Sequence, residues 1–200
     1  MSRYTGPKLR IIRRLGDLPG LISRNFQSRY YHRNRSPGQH GHRKKRKLKT
    51  YTRRLMEKQR LRFNYGISEK QMINYVKLAK KMKGATSLNL LQLLEMRLDN
   101  IIFRLGLAST IITARQYVNH GHFNVNGLSV SIPSYHCKPK DIISIKENSK
   151  LKQQLKIKAV PRHILPLYRN RGQILRIANR SSVFLRINEL YVVEFYSRKI

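Results

Sequence analysis

Met96-Arg-Leu-Asp-Asn-Ile-Ile-Phe-Arg-Leu-Gly106, followed by Ala114-Arg-Gln-Tyr-Val-Asn-His-Gly121, is the part of the chain around which the rest arranges itself. In the first piece Leu94, Leu98, Ile101, Ile102 and Leu105 recur at helical spacing, which predicts one helix with one buried face. Arg97, Asn100 and Arg104 lie three and seven residues apart, so the same helix would gather them on another face. Gly106 breaks the pattern. A second short helix carrying Arg115 and Asn119 is predicted to stop at Gly121, where a left-handed residue closes helices most cheaply. Val125-Asn-Gly-Leu128 then holds the strongest short hairpin signal, because Asn126 and Gly127 both tolerate the positive φ that a tight reverse turn needs. Two small helices and a hairpin make a module.

Charge frames that module. The 200 residues carry 43 Lys and Arg against nine acids, a net charge of +34. Self-repulsion of this size favours life beside a polyanion. The excess is uneven: residues 1–56 carry +16, residues 57–87 carry +6, residues 88–145 only +2 and residues 146–200 carry +10. A nearly neutral module therefore sits between basic flanks. The single cysteine, Cys137, excludes an internal disulfide and any cysteine-based zinc site. No apolar run reaches membrane-spanning length, so no membrane role is expected.

Residues 1–50 show no sustained periodicity and are punctuated by Gly6-Pro7, Leu18-Pro-Gly20 and Ser36-Pro-Gly38. Five consecutive cations, Arg43, Lys44, Lys45, Arg46 and Lys47, are interleaved nearby with Tyr4, Phe26, Tyr30, Tyr31 and Tyr51 and with His32, His40 and His42. Cations neutralise phosphates and flat side chains stack on splayed bases, so this mixture suits RNA better than a solubilising tail. From Thr52 to Tyr65 a helix is predicted, with Arg54, Lys58 and Arg62 on one side and Met56, Gln59 and Phe63 on the packed side. Ser68-Glu-Lys-Gln71 has the form of a capping box and opens a second helix, ended by Gly84. Lys77, Lys80, Lys81 and Lys83 on that helix fit either a solvated face or phosphate contact.

Beyond the hairpin, strands are predicted at residues 128–132, 141–145, 155–160, 173–177 and 182–187. Residues 188–196 are ambiguous, since their β-branched and aromatic content favours strand while Asn188 is a good N-cap. Catalysis finds little support. Glu95 and Asp99 stand at acid–base spacing, but Arg97 and Arg104 beside them favour structural ion pairs. His120 and His122 lack further ligands of metal spacing, and no Gly-rich nucleotide loop occurs.

Several segments carry a family resemblance. Arg3-Tyr-Thr-Gly-Pro-Lys8, Ser36-Pro-Gly-Gln-His-Gly41, Glu57-Lys-Gln-Arg-Leu-Arg62 with Tyr65-Gly66, Asn89 to Asn100, Tyr117-Val-Asn-His-Gly-His122, Val125-Asn-Gly127, Ile132-Pro-Ser-Tyr135 and Asn188-Glu … Glu194-Phe-Tyr-Ser197 resemble, in order, small-subunit ribosomal protein four. The Leu18-Pro-Gly-Leu21 insert and the Ile/Asn/Tyr/Lys-rich drift resemble the plastid branch. A match starting at Arg3 makes the basic start read as mature protein rather than a transit peptide.

The resemblance implies a structural constituent of the small ribosomal subunit. It would bind the 5′ region of small-subunit rRNA directly, nucleate assembly of the subunit body and affect translational accuracy, beside ribosomal proteins five and twelve. It implies no enzyme activity, no cofactor, no homo-oligomer, and a place in the plastid (chloroplast) stroma. It also implies an α+β fold with a basic extended N-terminal arm (1–50) and a discontinuous helical domain (51–86 plus 188–200). An α/β domain (87–187) would hold the two-helix, antiparallel-strand RNA-binding module at about 88–150 and a further small sheet. On this ground residues 188–196 are expected to be helix, packing back on residues 52–84. The expected RNA contacts are Gln39, His40, Arg43, Lys44, Lys45, Arg46, Lys47, Tyr51, Arg53, Arg54, Lys58 and Arg62 in the flanks, and Arg97, Arg104, Arg115, Asn119, His120, His122 and Asn126 in the module. Two departures stand out. Zinc-holding members have cysteines where this chain has Leu9 and Ile12, so no metal is expected. The box opening the second module helix often ends in Glu, where this chain has Thr113, so weaker capping is expected, by up to about 1 kcal/mol. RNA-modifying enzymes share the module but need a separate acid-bearing catalytic domain. A free RNA chaperone is the other alternative.

Overall fold

The structure is a computed structural model that describes residues 4–22, 35–41, 49–147, 149, 160–167 and 171–197. It divides into two units, one of residues 1–87 with 185–200, the other of residues 88–184. Among the described residues are seven α-helices and a five-stranded antiparallel sheet, a mixed α+β fold.

The first unit is helical. α1 (Lys8–Leu15) was not foreseen in the sequence, where a short Arg-rich run shows little periodicity; it buries Ile11 and Leu15 and ends at Gly16, φ +90°. Leu18, Leu21 and Ile22 follow it into the core. Asn64 Oδ1 there accepts the Gly20 N–H at 2.9 Å. α2 (Thr50–Asn64) buries Lys58, Leu61 and Asn64, and Tyr65 follows fully buried. This corrects the expected packed side of Met56, Gln59 and Phe63, which are only half-buried. Lysine can turn inward because its apolar stem packs while its ammonium finds Glu69 Oε2 at 2.7 Å.

α3 (Glu69–Lys81) opens on the foreseen capping box. The Gln71 N–H donates to Ser68 Oγ at 3.3 Å, and Gln71 Oε1 accepts the Ser68 N–H at 3.4 Å. The C-terminal residues form a helix, α7 (Glu189–Ser197), whose start is capped by Asn188 Oδ1 accepting the Leu190 N–H at 3.2 Å. It packs on α2 and α3: Tyr196 donates to Glu69 Oε1 at 2.9 Å, and Phe195 lies under the Lys58 ammonium. Tertiary packing overrides the local strand preference of these residues.

The second unit holds all but the first two residues of α4 (Thr86–Glu95), with α5 (Leu98–Arg104), α6 (Ile111–Asn119) and the sheet. Strands β1 (Phe123–Val125), β2 (Leu128–Ser129), β3 (Ile142–Ile145), β4 (Ile164–Leu167) and β5 (Arg171–Ile174) lie in the order β2-β1-β3-β5-β4. Asn126 and Gly127 make the foreseen hairpin turn with φ +51° and +83°. β2 is shorter than the expected strand 128–132, and the strand expected at 173–177 sits instead at Arg171–Ile174. Residues 182–187 form no strand, since a 3-10 turn occupies Arg180–Ser182. β4 lies outside every expected strand, and nearly all of the run 155–160 falls outside the described residues. Leu98, Ile101, Ile102, Val118, Phe123 and Ile143 form the centre of the core between helices and sheet.

Candidate nucleic-acid interface

The single helix expected across Leu94–Leu105 is two helices. Arg97 separates them with an extended backbone, φ −73° and ψ 142°. The break is a tertiary bridge: Cys137 donates its N–H to the Met96 carbonyl at 2.9 Å and Leu98 donates to the Tyr135 carbonyl at 2.9 Å, with Arg97 paired to His136. An apolar stripe at helical spacing cannot reveal this, because the break is set by backbone bonds to Tyr135, His136 and Cys137, far along the chain.

The break changes what the arginines do. Arg97 donates to both oxygens of Asp99, at 3.0 and 2.7 Å, and Arg115 donates twice to Asp99 Oδ2, at 3.0 and 2.7 Å. Glu95 receives Arg104 in the same two-pronged way at 3.1 and 2.6 Å, together with the Asn100 amide at 2.6 Å. Both carboxylates are fully buried, and so nearly are Arg97 and Arg104. The second face expected to gather Arg97, Asn100 and Arg104 is therefore interior, and the foreseen structural ion pairs are present. Charge-assisted, bidentate bonds of this kind fix orientation strongly.

Beyond them, α6 begins on Thr110, whose Oγ1 accepts the Thr113 N–H at 3.1 Å and lies 2.9 Å from the Thr113 hydroxyl. The missing Glu leaves half of a capping box. At its other end Asn119 and His120 are exposed, and Gly121 turns the chain with φ +70°. His122 stands edge-on to Tyr117 and 6.1 Å from His120, with Nδ1 3.1 Å from Ser149 Oγ. Exposed amide and flat rings beside one another can hydrogen-bond and stack on unpaired bases. Asn126 lies at the opposite end of β1. Its amide is used internally, donating to Asp141 Oδ1 at 2.9 Å and accepting the Ile142 N–H at 2.8 Å.

In the first unit, Gln39, His40, Tyr51 and Arg53 are exposed. Arg54 donates to Glu194 at 2.6 Å, and Lys58 and Arg62 share Glu69 at 2.7 and 3.8 Å. Arg43 to Lys47 lie outside the described residues. Lys138 and Lys140, both exposed, occupy a connection between strands and are not among the expected contacts. A cluster of Pro and Lys beside a turn residue was the available signal.

His163 is fully buried, and neither ring nitrogen has a hydrogen-bond partner among the described residues. Burial lowers its pKa from the ordinary 6.5, Glu95 opposes that, and Arg104 and Arg176 add to it. His136 is lowered by burial and by Lys138. Below about pH 6.5 the unfolded chain protonates His163 while the buried ring of the folded chain refuses the proton, so stability falls as pH falls, by up to about 1.4 kcal/mol per pH unit. Exposed His136, screened by solvent, adds a smaller part in the same direction. Urea melts at pH 7 and pH 5 should show this fall, and His163→Leu should flatten it while His136 keeps part. An unaltered pH dependence in that variant refutes the assignment.

Comparison with known proteins gives consistent matches. The family described as Ribosomal protein S4/S9 N-terminal domain matches residues 3–95, and the S4 domain matches residues 96–143. The chain is 54% identical to the small ribosomal subunit protein uS4 of Cyanothece sp., over 100% of both chains. It is 54% identical to the small ribosomal subunit protein uS4c of Porphyra purpurea over 100% of both. With uS4c of Cyanophora paradoxa it shares 52% identity over 99% of this chain and 100% of the relative.

Proposed function

The chain belongs to the family of small ribosomal subunit protein uS4, and on that premise we propose that it binds the 5′ region of small-subunit rRNA directly, nucleates assembly of the subunit body and contributes to translational accuracy. Identity of about one half along the whole of both chains is the observation that carries this reading. It is a structural ribosomal protein and not an enzyme. Relatives named uS4c favour a plastid ribosome, in the stroma. Ribosomal proteins five and twelve are its proposed neighbours, and one copy serves each subunit.

The charge partition assigns roles within this reading. Arg43 to Lys47 and Arg53, with neighbouring basic residues, supply most of the salt-dependent attraction to phosphate. Gln39, His40 and Tyr51 add polar and stacking contacts beside them. Asn119, His120 and His122 meet a folded junction by shape and a few directed contacts. Arg97, Arg104 and Arg115 contribute by holding the module in shape through Glu95 and Asp99. In the same way Arg54 ties α2 to α7 through Glu194, and Lys58 and Arg62 tie α2 to α3 through Glu69. Sedimentation tests the whole reading: the protein should co-migrate with small ribosomal subunits at moderate salt. Protein left at the top of the gradient refutes it.

A further inference from the structure

We propose that Lys138 and Lys140, with Arg162 and Arg176 beside them, form a phosphate-binding rim for rRNA at the turn end of the sheet, the end away from His120 and His122. The proposal rests on the rRNA-binding reading and adds a contact surface to it. Register places the residues together. Val125 pairs with Ile143, Ile142 with Gln173, and Ile164 with Ile174, so the turn at Asn126–Gly127, the loop 138–141, residues 162–163 and residues 175–176 all leave the sheet at one end. Lys140 donates its N–H to the Ile174 carbonyl at 2.7 Å, and Leu175 donates to the His163 carbonyl at 2.9 Å. The Phe123 and Ile145 pair, next to His122, marks the other end.

Electrostatics singles out these cations. Residues 88–145 contain five: Arg97, Arg104, Arg115, Lys138 and Lys140. The three arginines are joined to Glu95 and Asp99 inside the unit. What remains of the module's positive charge stands on one exposed loop. The acid of that loop, Asp141, has both oxygens engaged by the Asn126 amide at 2.9 Å and the Lys138 backbone N–H at 2.7 Å. It clamps the loop without drawing in either lysine side chain. Glu147, the remaining acid of residues 88–184, follows β3 at the far end.

Backbone conformation is a second, independent pointer. Lys140 is held at φ +76°, a region where glycine is cheaper than any residue with a Cβ. The bond from the Lys140 N–H to the Ile174 carbonyl and the Asp141 clamp hold the backbone there, and strain of this kind concentrates at functional positions. Four cations from three loops, with the acid of the lysine loop already engaged, make a surface for a polyanion backbone.

The variant K138Q/K140G separates this role from a structural one, because glycine relieves the backbone at position 140 while charge is lost. With a transcript of the 5′ region of small-subunit rRNA, its affinity at 0.15 M salt should fall about ten-fold. The slope of log affinity against log salt should be shallower by roughly one to two, close to 0.9 per lost phosphate contact. Its melting midpoint should not drop, and K138R/K140R should restore affinity and slope. In the wild-type complex, both lysines should be protected from acetylation by the transcript. Unchanged affinity and slope in K138Q/K140G overturn the proposal. So does protection that appears only in assembled subunits, which would place a neighbouring protein on the rim. A wild-type protein that does not bind the transcript at all refutes the functional reading instead.

Discussion

Asp99→Ala is expected to destabilise the α/β unit by about 3–5 kcal/mol, the cost of leaving a buried charge without its partner. Asp99 is fully buried and takes four hydrogen bonds, two from Arg97 and two from Arg115. Arg97 is itself only 2% exposed, so its charge is held in the interior opposite the carboxylate that the variant removes. Folded domains hold only about 5–15 kcal/mol in total, so this single change removes a large share. For a unit of about 100 residues each kcal/mol moves the melting midpoint by roughly 4–8 °C, which calorimetry resolves easily. Replacing the whole cluster by apolar residues of similar volume should recover much of the loss, because the desolvation penalty disappears with the charges. A midpoint in Asp99→Ala within a degree or so of the wild type, on the same scale, would show that the ion pair is not a structural anchor.

Removing the five charges Arg43 to Lys47 together is expected to produce the largest change in RNA affinity. If each neutralises one phosphate, the slope of log affinity against log salt becomes shallower by about 4.5, at roughly 0.9 per contact. Stability of the folded units should hardly move, since the run carries charge and no apolar side chain. Fluorescence anisotropy with an rRNA transcript across 50–200 mM salt reads the effect. An unchanged slope would mean that the attraction comes from elsewhere. The two variants separate the roles: one loses affinity and keeps its stability, the other loses stability.

Local backbone chemistry explains what was legible in the chain. Ser68 and Gln71 close a capping box in any setting that lets a helix start, because both bonds span three residues. Asn126-Gly127 makes its hairpin turn because few other pairs accept positive φ twice. The helix Ile111–Asn119 and its stop at Gly121 follow from the same local rules. Family resemblance, rather than propensity, pointed to helix at residues 189–197. Tyr196 and Phe195 show why: their partners Glu69 and Lys58 lie more than a hundred residues earlier.

The candidate interface was legible only in part. Asn119, His120, Gln39 and Arg53 stand exposed, whereas Arg97 and Arg104 are interior and Lys138 and Lys140 were overlooked. By itself the sequence determined the net charge of +34 and its uneven spread, the capped helix starts, the hairpin and the family. Tertiary structure alone decided that the helix breaks at Arg97, that β5 enters between β3 and β4, and which cations meet an acid. The reason is one of range. Turn and cap chemistry acts within four residues, while an arginine is spent or free according to a carboxylate about 3 Å away, whose place in the chain can be 140 residues distant, as Glu194 is from Arg54.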